Sequence, residues 1–160
     1  MNIELLPAYN RKEELLPLYE EYAAYLVQKD PVFTKSLEQQ NYDEELSHLE
    51  GKYGMPEGRI YVLHVDGKTA GCVGLRKSDE THGELKRLYL RKEFRGNKLG
   101  RFMTEQIIKD AKEAGYSYLR LDTLPPLETA IALYREMGFY ETESYYDCLV
   151  PATIFMEIKL

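Results

Sequence analysis

The sequence predicts an α/β fold, with a mixed sheet flanked by helices in a single domain over residues 1–160. Three observations predict it. Apolar residues recur at helical spacing in several separate stretches. A strand-like run doubles back at Asp66-Gly67, the signature of a tight antiparallel hairpin. Beyond the hairpin, strand-like and helix-like segments alternate as β-α-β-α-β. A chain of 160 residues is long enough to bury the core such a fold needs.

The elements follow in order. "NIELL" reads as a first strand. Arg11 to Lys29 reads as a helix, because Leu15, Leu18, Tyr19, Tyr22 and Leu26 recur at helical spacing, and Pro31 ends it. "YDEELSHLE" predicts a second helix that stops before Gly51, and "KYGMPEGR" is a Gly/Pro loop. "IYVLHVDGKTAGCVGLRK" is the hairpin, and "THGELKRLYL" is a strand expected to pair with it. "KLGRFMTEQIIKDAKEAG" predicts an amphipathic helix with Leu99, Met103, Ile107 and Ala111 on one face and Gly115 as its exit. "YSYLRLDT" is a strand. "PLETAIALYREMGF" is a helix that opens after Pro125-Pro126 and ends at Gly138. The tail "YYDCLVPATIFMEIKL" supplies strand, most clearly in "TIFMEIKL". No repeat, low-complexity segment or linker interrupts this order.

Composition removes several classes of function. Hydrophobic content of 44% and charged content of 30% are those of a soluble globular chain. No apolar run approaches the roughly 20 residues of a membrane span, and the N-terminus lacks the pattern of a secretory leader. A cytoplasmic protein with no membrane partner is expected. A net charge of −6 argues against a nucleic-acid partner. Cys72 and Cys148 fit neither a zinc pattern nor a disulfide framework; they read as buried free thiols, and no metal is expected. The sequence does not fix the oligomeric state, and a homodimer is compatible with it.

Against this acidic balance, Lys86, Arg87, Arg91, Lys92, Arg95, Lys98 and Arg101 crowd into one short stretch. Within it, "RGNKLG" sets Gly96 and Gly100 at the start of a helix. A helix N-terminus carries unpaired N–H groups and a partial positive charge, and a glycine lets an anion come close. Together these suit a diphosphate. The other reading is a cationic turn with a solvated face. The Walker and GxGxxG patterns are both absent. Lys86, Arg87 and Arg91 read as solvated strand-face charges.

Taken with "AIALYREMGF" downstream, "RGNKLG" resembles the loop and helix motifs of the GCN5-related N-acetyltransferase (GNAT) family, over roughly Arg59 to Phe139. The longer phrase "LRLDTLPPLETAIALYREMGF" looks like a common bacterial subgroup of that family. The resemblance implies a GNAT-like mixed, mostly antiparallel central sheet, splayed to admit the pantetheine arm of acetyl-CoA, with no metal. It implies that Arg95, Gly96, Asn97, Lys98, Leu99, Gly100 and Arg101 hold the diphosphate, Lys92 adding charge. It also implies that Leu88, Tyr89 and Leu90 pair with the pantetheine amides. Ala130, Leu133, Tyr134, Gly138 and Phe139 match the second motif. Lys98 stands where the family has its first glycine, which is expected to need a negative φ and an outward side chain. Leu127 stands where the family often has an Asn that contacts the cofactor arm.

Acetyl transfer needs a neutral amine, a polarised carbonyl and a stabilised leaving thiolate. By the same resemblance, the backbone N–H of Leu90 polarises the carbonyl. Tyr134 is the acid, protonated at neutral pH with an ordinary pKa of roughly 10; its other reading is core packing. Glu84 matches the catalytic glutamate of the histone-acetylating branch; its other reading is a strand carboxylate paired with a cation such as Lys86. His82 lies on the same strand face and either shares the task or is simply exposed, while His48 and His64 read as structural. "EELLPLYEEYAAYL" and "NYDEELSHLEGKYGMPEGR" wall the acceptor side in this fold, and their acids and tyrosines suit a cationic amine. The expected function is acetyl-CoA-dependent acetylation of a primary amine on a small molecule or peptide. The rival readings are a non-catalytic acyl-CoA-binding regulator and a protein-interaction module built on the basic strip.

Overall fold

Asp66 and Gly67 both take positive φ, 52° and 78°, as a tight two-residue hairpin turn requires. In the computed structural model this turn joins β2 (Arg59–Val65) to β3 (Lys68–Lys77), and β1 (Ile3–Pro7) lies antiparallel outside β2. The structure describes residues 1–160 apart from the side chains of Ser36 and Gln39. β4 (His82–Leu90) pairs antiparallel with β3. β5 (Tyr118–Thr123) runs parallel to β4, β7 (Ile154–Lys159) antiparallel to β5, and β6 (Tyr140–Thr142) forms the far edge. The sheet order is β1-β2-β3-β4-β5-β7-β6, mixed and mostly antiparallel.

Two irregularities sit on β4. It pairs with β5 only over His82–Glu84 against Tyr118–Arg120, after which the strands part. On its other edge the register with β3 slips between Cys72 and Gly74, and Arg87 takes φ of 61°. This is a β-bulge, which bends the strand and re-aims its side chains.

Helices cover both faces. On one, α1 (Lys12–Lys29), α2 (Thr34–Gln40), α3 (Tyr42–Ser47) and α4 (Leu49–Tyr53) form a layer. Leu15, Leu18, Leu46, Leu49 and Tyr53 of this layer pack on Ile60, Val62 and Cys72. On the other, α5 (Leu99–Glu113) buries Leu99, Met103, Ile107 and Ala111 against Leu63, Val73, Leu85 and Leu119. All four α5 residues are at most 2% exposed, as the spacing predicts. α6 (Glu128–Glu136) adds Tyr134 to that core. A third cluster of Leu26, Phe33, Leu124 and Val150 ties the end of α1 to the loops after β5 and before β7. Leu127 packs against it. Among the described residues, no helix is long and apolar enough to cross a membrane.

The structure corrects several expectations. The helix read from "YDEELSHLE" breaks at His48, whose φ is −149°, and resumes as α4 through Gly51 to Tyr53. The His48 ring lies against Gly51, where a Cβ would meet it at 2.5 Å. The tail is strand only from Ile154; Glu143 to Thr153 is a loop. Cys72 is buried, whereas Cys148 is only partly so. Lys86, Arg87 and Arg91 are not solvated. Lys86 is 9% and Arg87 8% exposed. Arg87 makes a two-point pair with Glu45, Nε–Oε2 at 2.9 Å and Nη2–Oε1 at 2.6 Å, and lies over the Tyr42 ring. Arg91 pairs with Glu21 at 2.7 Å. The bulge and the helices packed over it bring Glu45 to Arg87 and Glu21 to Arg91 from distant parts of the chain, whereas Lys86 has Glu84 of its own strand at 3.9 Å.

Candidate active site

Where β4 leaves β5, a slot opens in the middle of the sheet, and strand alternation decides what faces it. Arg91 N–H bonds to Ala70 O on the β3 side. Leu90, one residue earlier, therefore turns its N–H and C=O away from β3, and so does Leu88. The Leu90 carbonyl accepts from Arg95 Nε at 2.9 Å. That contact sets the loop before α5 at the Leu90 end of the slot.

In this loop Gly96 has φ of 90° and Lys98 has φ of 58°. The sign at Lys98 is opposite to expectation: the lysine occupies the left-handed position that glycine adopts without strain. Its side chain is exposed, as expected. No side chain caps α5, and Phe102 N–H bonds to Lys98 O at 3.0 Å. The N–H groups of Leu99, Gly100 and Arg101 lie ahead of that bond, as an uncapped helix start leaves them. A Cβ on Gly100 would meet only Leu133, at 3.6 Å. Lys92 and Arg95 are exposed, and Arg95 also lies 5.6 Å from the Tyr25 ring. Arg101 is held by carboxylates instead, Glu136 at 2.6 Å and Glu105 at 3.7 Å.

Tyr134 approaches the slot from α6. It is 5% exposed, and its hydroxyl has no hydrogen-bond partner among the described residues. Burial raises its pKa, and the charge of Asp122 on β5 adds to the effect. Tyr134 also acts on Tyr22, whose ring meets that of Tyr89 on β4 edge-on. Tyr134 belongs to the apolar cluster that holds Leu119 and Leu121 of β5, with Leu88 and Leu90 of β4 packed against it.

On the α1–α4 face an open cavity of about 810 Å³ adjoins the paired end of β4 and β5. Glu84 and Lys86 line it from β4, Arg76 and Lys77 from β3, and Lys52 from α4. The loop of Gly54, Met55 and Glu57 forms part of its rim, and Tyr145 and Tyr146 close another side. Glu84 is 1% exposed. Arg76 donates to its Oε1 at 2.8 Å and the Tyr145 hydroxyl to its Oε2 at 2.6 Å. Burial pushes the Glu84 pKa up, but Lys86, Tyr145 and Arg76 outweigh it, and the net shift is downward. The group is therefore ionised at neutral pH. The Tyr146 hydroxyl donates to Asp122. Two successive tyrosines thus link cavity and slot, one on Glu84 and the other on the neighbour of Tyr134.

A model of the acetyltransferase (GNAT) family matches residues 15–139. The chain belongs to the GNAT family. An uncharacterised N-acetyltransferase of Schizosaccharomyces pombe is 39% identical over 80% of this chain and 80% of its own length. One of Dictyostelium discoideum is 30% identical over 91% of this chain and 93% of its own. In fold, the chain resembles the PaiA N-acetyltransferase of Thermoplasma acidophilum, solved with coenzyme A, at a TM-score of 0.76, with 18% identity and 100% of both chains covered. These relationships make the chain an acyltransferase.

In this GNAT acyltransferase, Leu88, Tyr89, Leu90 and the loop Arg95 to Gly100 come together at one end of the slot and Glu84 lies at the far end, while Tyr134 sits in the core cluster that Leu88 and Leu90 pack against. Arg101 shares the loop but spends its charge on Glu136 and Glu105. His82 does not line the cavity; it bonds to Asp79 at 2.9 Å and stacks on Tyr118. Sequence reasoning missed Lys86, Tyr145, Tyr146 and Asp122. The paired "YY" before the last strand was the signal for the tyrosines, since two large polar aromatics in a loop need partners when buried. The acceptor side is also less acidic than its sequence implies, because β3 and β4 deliver Arg76, Lys77 and Lys86 to it. Among the described residues, no group of His, Cys, Asp and Glu is arranged to hold a metal ion.

Proposed function

We propose that this GNAT acyltransferase binds acetyl-CoA and transfers its acetyl group to a primary amine of a small molecule or peptide by direct attack on the thioester. The observation that carries the reading is the slot between β4 and β5, with an uncapped helix start at one end and a buried carboxylate at the other. The residues present fit the ligand. The N–H groups of Leu99, Gly100 and Arg101 suit a diphosphate, and Lys92, Arg95 and Lys98 supply exposed cations nearby. The N–H and C=O groups of Leu88 and Leu90 suit an amide-bearing arm laid along the slot. A protein of the same fold is known with coenzyme A.

When bound, acetyl-CoA supplies the acyl thioester. The chain's own groups then divide the work. Leu90 N–H polarises the carbonyl. Glu84, ionised and already accepting from Arg76 and Tyr145, attracts the acceptor's ammonium and takes its proton through water. As the amine nitrogen bonds to the carbonyl carbon and the C–S bond breaks, Tyr134 donates to the departing sulfur. Its raised pKa keeps the phenol protonated throughout the working range.

Thiol release from acetyl-CoA, followed over amines, amino acids, polyamines and peptides, tests the reading. Saturable release that depends on one acceptor class is the expected outcome. Saturable CoA binding without release for any acceptor would overturn transfer and leave a binding domain. No CoA binding would overturn the site itself.

A further inference from the structure

Lys86 is the group in the cavity that the mechanism leaves without a task. Its side chain is 9% exposed, and it lines the cavity. Its ammonium makes no hydrogen bond among the described residues. The nearest carboxylate oxygen, Glu84 Oε2, is 3.9 Å away, beyond hydrogen-bond reach, and already accepts from Tyr145. An ammonium on the cavity wall with three donors and no protein acceptor is available to whatever enters the cavity.

The cavity wall carries Lys52, Arg76, Lys77 and Lys86 beside Glu50, Glu57 and Glu84. Arg76 spends Nη1 on Glu84, and its side chain remains 36% exposed. Lys77 is occupied by Glu57 and Glu80. Lys52 is bonded to Glu45 at 2.7 Å, yet burial and repulsion from Arg87 and Lys86 pull its pKa down to about 8. A polyamine entering here would meet Glu50, Glu57 and Glu84 but also Lys52, Arg76 and Lys86, whereas an acceptor with one charge of each sign meets a partner for both. Glu84 and Lys86, two residues apart, share one face of β4, while Leu85 between them packs into the opposite core. The cavity floor thus reads negative then positive along one strand.

We propose that Lys86, with Arg76 beside it, receives a carboxylate of the acceptor, so that the substrate class is an amine that also carries a carboxylate, an amino acid. Such a zwitterion turns its ammonium to Glu84 and its carboxylate to Lys86. The proposal rests on the acetyl-transfer reading for its kinetics, but not for its binding.

The test compares each amino acid with its own carboxamide at fixed acetyl-CoA. The amide's amine is the weaker base and more of it is neutral, so this bias runs against the proposal. Even so, kcat/KM should be at least about tenfold higher for the acid, through KM. In Lys86→Met the acid-to-amide ratio should fall about tenfold, and Lys86→Arg should restore part of it. Equal kcat/KM for acid and amide in the parent protein overturns the proposal, whatever becomes of the variants. So does an unchanged ratio in a Lys86→Met protein that melts like the parent. If no amine is turned over, the transfer reading fails separately, and calorimetry on CoA-loaded protein decides. N-acetylglycine bound at least about tenfold tighter than N-acetylglycinamide supports the carboxylate site, and equal binding or none for both removes it.

Discussion

Tyr134 offers a protonated phenol in the core cluster that Leu88 and Leu90 of β4 pack against, and its hydroxyl has no hydrogen-bond partner to lose among the described residues. Tyr134→Phe keeps the ring packed against Phe139, 5.5 Å between centroids, so the fold should survive. A proton given to a leaving thiolate matters mainly in the transition state, so the loss should fall on kcat and spare CoA affinity. Positioned acid catalysis is worth about 10²–10⁴-fold, and the lower end is expected for a thiolate, a fair leaving group by itself. A kcat within about twofold of the parent at unchanged melting temperature would make Tyr134 a packing residue. Glu84→Gln should lower the rate most at low pH, where more of the acceptor is protonated; a pH–rate profile superimposable on the parent's would make Glu84 a structural carboxylate. Both residues could be named as candidates because each sits in a phrase with fixed spacing. Tyr145, which holds Glu84 from 61 positions away, and Tyr146, which holds Asp122 from 24, could not be. Nothing local records contacts between a loop and strands so far from it in the chain. Lys86 was read as a surface charge for the same reason: the cavity it faces is walled by α4, the loop after it and Tyr145, not by its own strand alone.

At the scale of elements, the long periodic helices and the hairpin were legible because burial of one face imposes a pattern on the residues. Of the short helices, α3 was read within "YDEELSHLE", but α2 and the separate α4 were not. α2 has Leu37 as its inward apolar residue, and α4 spans five residues across a glycine, too little for a period of 3.6 to show. The loop into α5 is where element and site meet. Left-handed backbone costs a side-chain-bearing residue about 1–2 kcal/mol, and glycine gives back up to about 1 kcal/mol of that through its freer unfolded state. Lys98→Gly should therefore leave the melting temperature equal or slightly raised. Its CoA affinity should fall by less than about tenfold, as for an exposed charge pair worth up to about 1 kcal/mol, and become less sensitive to salt. Gly100→Val instead fills space that the folded chain leaves open, and should weaken CoA binding by more than Lys98→Gly does. Calorimetry at two ionic strengths separates the two effects. Equal CoA affinity in Gly100→Val and the parent would remove this loop from the binding site.

The molecule as a whole is a sheet between two unlike layers, and acid should separate them. The α5 side is apolar, and its buried Asp110 accepts from the neutral groups of Tyr61 at 2.6 Å and Gln106 at 3.0 Å. The α1–α4 side is pinned by carboxylates. Glu14 on α1 accepts from Thr69 on β3 at 2.7 Å and meets His64 on β2. Glu45 on α3 holds Arg87 at the β4 bulge and Lys52 on α4. Burial raises the pKa of each, but hydrogen bonds outweigh it: from Thr69, Arg11 and His64 for Glu14, and from Arg87 and Lys52 for Glu45. Each is lowered from 4.5 to about 2. A folded pKa below the unfolded value means that the stabilisation is complete above about pH 4.5 and is lost as pH falls from there through about 2. Amide exchange should therefore show α1 and α3 losing protection in that window before α5 does. Glu45→Gln should already be destabilised at neutral pH, by about 3–5 kcal/mol, because Arg87 is left buried beside a neutral amide. Its loss of stability between pH 4.5 and 2 should be correspondingly shallower. If α5 opens together with α1 at every pH, the layers are one cooperative unit and the carboxylate pins do not set the order. If Glu45→Gln keeps the parent's acid limb, the Glu45–Arg87 pair contributes nothing to it.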